Sequence, residues 1–361
     1  MNNQFRFGLE GEFLLADNKS FRPLWYKDVS FQTIDDLFTQ ISLDGIPPLD
    51  GLDAEPPHKK LMPFIVEGYG IPNDKMEIID SNPKGIEIRT PVCQSIDQTL
   101  SVYEELYTRV KASLATKNMV PVAISHHPTE TTFTGPQNKR RHDFWLWAME
   151  VMTTYGPDIN ISFPEELTKL MFSDLKDLNA KVNYYSPAMS ALSLASPFYA
   201  GLPWEIKGKT GLSYRTFKRS VIAPAIELHP DENNRIEFKV FEMTNRSEDF
   251  EAYFLLTLGL FLSPLKGRSS QQERIYDAGS VARFGLNAEG VAPILGDLFE
   301  KTEKVLPQFG FKTNALKVLH QRLEKRTHIS DHMLELFKKN HSIPDVLREY
   351  STLITRSGLV K

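Results

Sequence analysis

Residues 5–13 read Phe5-Arg6-Phe7-Gly8-Leu9-Glu10-Gly11-Glu12-Phe13. In an extended chain Phe5, Phe7, Leu9 and Phe13 share one side, and Arg6, Glu10 and Glu12 share the other. Three more short runs repeat this design. Residues 86–90 set Glu87 and Arg89 against Ile86 and Ile88; residues 158–163 set Asp158, Asn160 and Ser162 against Ile159, Ile161 and Phe163; residues 235–241 carry Glu237 and Lys239 on their polar side. Any one such face is an ordinary solvated surface. Together the four offer Glu10, Glu12, Glu87, Asp158, Asn160 and Glu237, an oxygen-rich set with no histidine or thiol. Gathered carboxylates repel unless a cation lies between them, and hard divalent ions such as Mg²⁺ or Mn²⁺ prefer oxygen ligands. The pattern points to a metal and nucleotide site built on a sheet.

Working outward, residues 17–84 are rich in Pro, Gly and Asp and read as a loop-rich insertion with short strands at 64–66 and 75–80; only 30–41 has helical spacing there. Ser95 and Gln98 form a capping box ahead of an apolar stripe from Ile96 to Leu114, which predicts a helix to about Lys117. A strand is expected at 120–124 and helices at 142–152, 168–179 and 187–194, followed by a Gly-rich loop at 201–211. Residues 252–262 form the longest apolar stretch, 11 residues where a bilayer needs about 20, and read as a buried helix. Residues 298–361 read as a helical tail, and the whole chain as one catalytic domain. The tail and the 252–262 helix can serve an intrachain core or a homo-oligomer interface.

The 361 residues are 41% hydrophobic and 24% charged, which excludes disorder as the main state. Forty-two Lys and Arg against 46 Asp and Glu give a net charge of −4, without the positive excess that draws a chain to nucleic acid or anionic lipid. Cys93 has no partner for a disulfide, which implies a reducing compartment; with no export signal read at the N-terminus, a cytoplasmic location is expected. No partner acid and histidine mark Cys93 as a nucleophile, so it reads as a small buried side chain.

The common phosphate cradles, G-x-x-x-x-G-K-[ST] and G-x-G-x-x-G, are absent from the sequence, so carboxylate-held metal would have to grip any ATP. The segments Gly8-Leu9-Glu10-Gly11-Glu12, 85–93 (GIEIRTPVC), 125–128 (SHHP), 155–160 (YGPDIN), 193–198 (SLASPF), Ser213-Tyr214-Arg215 and 235–239 (RIEFK) resemble, in order, motifs of the type 2 glutamate–cysteine ligase and carboxylate–amine ligase family. The resemblance implies an α+β, glutamine-synthetase-like fold: a curved, mainly antiparallel sheet forming a funnel, with helices packed on its outer face and ATP with Mg²⁺ or Mn²⁺ inside. It also implies an ATP-dependent ligase that joins an amino-acid carboxylate, such as the γ-carboxylate of glutamate, to an amine through an acyl phosphate. A phosphotransferase on the same fold, or a silent ATP- and metal-binding relative, are the alternatives.

The resemblance sets Glu10, Glu12, Glu87 and Glu237 where the family places metal-binding glutamates, with Asp158 and Asn160 at a position where members carry metal or nucleotide ligands. Arg215 falls on an arginine that holds a substrate carboxylate or phosphate. Lys239 or Arg140 would share that charge, His127 matches the family beside the nucleotide, and Asp80 matches an acid of some members. The family's Glu-Val-Arg is here Glu237-Phe238-Lys239, its following Asp is Glu242, and its Arg-Pro is His229-Pro230. Lysine cannot make the two-pronged bond of arginine. Arg141 and the pair Phe144 and Trp145 with Trp147 read as solvent-facing and packing residues respectively, and His320, His328, His332 and His341 as helix-surface residues. A loop that keeps water from an acyl phosphate is expected at 44–57 or 201–211.

Overall fold

The computed structural model describes residues 4–133 and 152–359. Arg140, Arg141, Phe144, Trp145, Trp147 and all but the last residue of the helix expected at 142–152 lie outside the described residues. The main sheet contains β1 (Arg6–Asp17), β2 (Phe64–Pro72), β3 (Ile78–Arg89), β4 (Met119–Val122), β5 (Pro157–Ser162), β6 (Ile226–His229) and β7 (Arg235–Phe238). Its order is β6-β7-β5-β1-β3-β2, with β4 paired to the far end of β1, and every pairing is antiparallel. The sheet curls into a half-barrel. The helices are α1 (Phe31–Thr39), α2 (Ile96–Ala115), α3 (Glu165–Phe172), α4 (Leu175–Ser190), α5 (Tyr214–Ile222), α6 (Ser247–Leu262), α7 (Gln271–Phe284), α8 (Val291–Val305), α9 (Lys317–Lys325), α10 (Ile329–Asn340) and α11 (Ile343–Glu349).

The alternation of β1 is the hinge of this arrangement. Phe7, Leu9 and Phe13 are buried, while Arg6, Gly8, Glu10 and Glu12 between them are half-buried on the other side. The apolar side meets α2 and α6: the Phe7 ring stands edge-on to Phe254 at 5.9 Å, and Phe163, just past β5, does the same to Phe261 at 5.8 Å. Each such ring contributes roughly 1.5–3 kcal/mol by leaving water. Gly11 is a packing requirement on this side, because a Cβ there would lie 2.0 Å from the hydroxyl oxygen of Tyr103 on α2. Ser95 caps α2 by accepting from the Gln98 N–H, as expected, but the Gln98 side chain accepts from the N–H of Gln94 rather than closing the box on Ser95. Cys93 is buried, and its backbone exchanges two hydrogen bonds with Phe7, at 2.9 and 2.8 Å.

Several expectations change. The strands read at 75–80 and 86–90 are one 12-residue strand, β3, which pairs along the whole of β2, so the 17–84 segment supplies a long hairpin and not only short strands. The helix expected at 168–179 is two, α3 and α4, and α4 runs through Pro187 to Ser190, ending where the next helix was expected to continue. The loop at 201–211 folds as part of two small hairpins. The tail helices belong to the core: Leu298, Leu306, Leu319 and Met333 are completely buried in one cluster with the apolar side of the sheet. Arg322 of α9 forks onto Asp249 of α6, with both contacts at 2.7 Å. Among the described residues no helix is long and apolar enough to cross a membrane.

Candidate active site

Register brings the acids together. Glu10 lies opposite Arg89 on one side and Asp158 on the other, Glu12 opposite Glu87, and Glu237 opposite Asn160 and Glu227. Carboxylate oxygens of Glu10, Asp158 and Glu237 fall within 4.8 Å of one another, and so do those of Glu12, Glu67 and Glu87. A third group joins Glu227, His229 and Glu237 at the edge strand β6. Glu67, Glu227 and Lys84 were not among the expected site residues. Glu67 was within reach, since continuing the 64–66 strand by one residue puts it on the same side as Ile65, opposite Glu87. Asp80 joins none of these groups; it is exposed and accepts the N–H of Ser81.

Basic groups are set among the acids. Lys84 contacts Glu12 at 2.6 Å and Glu67 at 3.4 Å. Lys239 pairs with Glu237, with Asp158 at 3.3 Å and with Glu227 at 3.5 Å. Arg235 binds Glu237 at 3.0 Å and the side-chain oxygen of Asn160 at 2.5 Å, and His229 reaches Glu237 at 3.1 Å. Glu237 is pulled below the usual carboxylate range: burial opposes its charge, but Lys239 and Arg235 outweigh it. Glu10 has the opposite fate. Burial first, then the charges of Glu237 and Asp158, push it up to about 8, and no described side chain forms an ion pair or hydrogen bond with it. Glu87 is raised for the same reasons, with burial first and Glu10 next. A half-buried carboxylate without a partner, beside two others and in an all-oxygen donor set, fits a hard divalent cation.

Next to the acids lies a pocket of opposite character. It is lined by Arg215 and Arg219 of α5, Arg274 of α7, Lys239, Ser186 and Ser190, and among the described residues no acid lines it. Arg215 is 2% exposed; its Nε has no hydrogen-bond partner, and burial with the neighbouring Arg219 pulls it down to about 10. The Ser186 hydroxyl is likewise buried without a partner. Glu242, where the resemblance implies an aspartate, accepts from the Ala195 N–H at 2.6 Å and from the hydroxyls of Ser196, Thr216 and Ser213, and so anchors the start of α5 and with it Arg215. A second pocket, shared by Glu10, Asn160 and Arg235, is bordered by Gly51 and Leu52, so the 44–57 segment reaches it. Trp204, within 201–211, packs instead on Tyr214.

His127 is apart from the acids. It is 1% exposed, stands edge-on to Trp25 at 4.5 Å and accepts the Glu130 N–H, and burial holds it neutral. Among the tail histidines, His328 departs from a surface reading: it is buried and accepts the Leu286 N–H at 2.9 Å.

A curled antiparallel sheet with acids inside and helices outside defines a glutamine-synthetase-like fold. The model of glutamate–cysteine ligase family 2 matches residues 6–213, and the chain belongs to that family. Two solved structures share the fold at 12% identity. One is the glutamate–cysteine ligase of Francisella tularensis in complex with AMP, with a TM-score of 0.62 over 96% of this chain and 87% of that one. The other is the bifunctional glutathione synthetase of Pasteurella multocida, with a TM-score of 0.61 over 97% of this chain; this chain spans 52% of that protein's length. The ligase PafA in complex with the ubiquitin-like protein Pup is more distant, with a TM-score of 0.53 at 12% identity over 97% of this chain and 73% of that one. No curated protein sequence matches the chain.

Proposed function

We propose that this protein is an ATP-dependent carboxylate–amine ligase: it phosphorylates an amino-acid carboxylate, the γ-carboxylate of glutamate being the leading candidate, and passes the acyl group to an amine. The observation that carries this reading is the meeting of two opposed environments, a face of clustered carboxylates and a pocket lined, among the described residues, by four cations and no acid. Family membership supports it.

Glu10, Asp158 and Glu237 would hold a divalent ion, with Glu12 and Glu87 beside them. That ion would supply neutralisation of the ATP phosphates. Asn160, Glu237 and the more remote His127 are the nucleotide-side candidates. Arg215, with its unpartnered Nε, would grip the substrate carboxylate, and Lys239, which sits on both the acidic face and the cationic pocket, would follow the negative charge as it moves onto the acyl phosphate. The amine then attacks the carbonyl carbon, a tetrahedral centre forms, and phosphate leaves. Gly51 and Leu52 border the pocket that holds Glu10, Asn160 and Arg235, and would shield the ion side of the site from water.

A coupled ADP-release assay with glutamate and a panel of amines tests this. Amine-dependent ADP release with stoichiometric amide is expected, falling by about 10²-fold in Glu10→Gln, which keeps the shape and removes the charge. A stable phosphorylated product, or no amine-dependent release from any member of the panel, would refute it.

A further inference from the structure

We propose that Lys84 is a fixed internal cation that fills the Glu12–Glu67–Glu87 group, so that the funnel takes a divalent ion at Glu10–Asp158–Glu237 and not at its neighbour. This rests on the acidic face being an ion site, as read above, and narrows where the ion goes.

The backbone shows how a lysine comes to be there. In strict alternation residue 84 would share the apolar side of β3 with Ile86 and Ile88. The register between β2 and β3 slips at this point, since Glu67 pairs with Gly85 but Gly68 pairs with Pro83. Lys84 is therefore the extra residue of a β-bulge, a device that re-aims a side chain. The bulge is built in on both strands: a Cβ on Gly85 would lie 2.1 Å from the carbonyl oxygen of Phe13, and one on Gly68 the same distance from that of Asn82. Turned inward, the ammonium donates to Glu12 at 2.6 Å and to the carbonyl of Thr154 at 3.0 Å, and lies 3.4 Å from Glu67.

The acids around it are committed in consequence. Glu12 gives Oε1 to Lys84 and Oε2 to the Gly156 N–H at 2.8 Å. Glu67 faces the same ammonium, and carboxylate oxygens of Glu12, Glu67 and Glu87 lie within 4.8 Å of one another. The neighbouring group differs. Lys239 touches two of its acids, and Arg235 and His229 touch Glu237, but Lys239 lies beyond the end of β7, the side chains of Lys239 and Arg235 are 15% and 21% exposed against 6% for Lys84, and Glu10 is left unpartnered. A divalent ion entering beside Lys84 would meet a buried cation lodged by the bulge; one entering beside Glu10 meets an unpartnered carboxylate and cations nearer the surface.

Mn²⁺ titration of the full chain, with free Mn²⁺ followed by its electron paramagnetic resonance signal, counts the ions without any turnover. The expected result is the same count for wild type and Glu12→Gln, one fewer for Glu10→Gln, and one more for Lys84→Met. A count that drops in Glu12→Gln, or that is unchanged in a folded Lys84→Met, overturns the inference while leaving the ligase reading in place. Should Lys84→Met not fold, the two glutamate variants decide alone. No Mn²⁺ held by any variant, wild type included, overturns this inference and the ion site it rests on.

Discussion

Gly156 lies against the guanidinium of Arg215, and a Cβ added there would stand 2.0 Å from its Nη2. The clash falls on the free end of a long side chain, so Gly156→Ala should displace Arg215 and leave the fold standing. The expected outcome is a loss of about 1 kcal/mol in urea unfolding with a roughly tenfold rise in KM for the carboxylate substrate. An unaltered KM would separate Arg215 from substrate binding. At this scale the acids were readable because alternation assigns a face to each one: Glu10, Glu12, Glu87, Asp158 and Glu237 do share a side. Lys84 was not, because a bulge cancels the parity on which that reading depends, and neither was the unpartnered hydroxyl of Ser186, which belongs to a helix meeting the others only in three dimensions.

Among the elements, α5 matters most, since it carries Arg215 and Arg219 and starts at Ser213, whose hydroxyl is held by Glu242. In Glu242→Gln an amide N–H₂ would replace one acceptor oxygen and face donors. Unfolding should become easier by about 2–3 kcal/mol, with KM for the carboxylate rising as α5 shifts; equal stability and KM would show that the anchor is not needed. This helix and α7 were not foreseen. Within α7 the buried face is made of Arg274 and the small residues Ala278, Val281 and Ala282, while Tyr276 and Phe284 are exposed, which blurs the apolar stripe, although the Ser270 and Glu273 box that caps it stood in the sequence as a signal. Strand β6 was missed because its four residues are all half-buried at an edge, which blurs alternation. By contrast α2 and α6 each bury a long apolar surface, and length made them legible.

For the whole molecule, His126 and His127 bear on acid stability. Both are buried beside the sheet, and burial pushes each down to about 3 from an ordinary 6.5. Between those values the unfolded chain binds more protons than the native one. Their contribution is therefore complete above pH 6.5 and falls as pH drops toward 3, by about 1.4 kcal/mol per pH unit for each ring, while the raised carboxyls of Glu10 and Glu87 act in the opposite sense over part of the same range. Between pH 7 and pH 5 the urea midpoint of the wild type should fall relative to that of a His126→Asn, His127→Asn double variant; an equal change in the two would mean that these rings are not held neutral. Family and fold were legible over most of the chain because four of the seven motifs sit on the strands of one sheet. The incorporation of the tail helices into the core was not, since an amphipathic helix looks the same whether its apolar stripe meets its own chain or a second copy.

Cys93 carries a last consequence. It is the one sulfhydryl of the chain, sealed from water and stitched by two backbone bonds to Phe7 on the central strand. An alkylating reagent can reach it only when that stitch parts, so the protein bears its own clock: the pace of labelling in native buffer measures how often the floor of the funnel lifts, and ligands that brace the floor will slow the ticking.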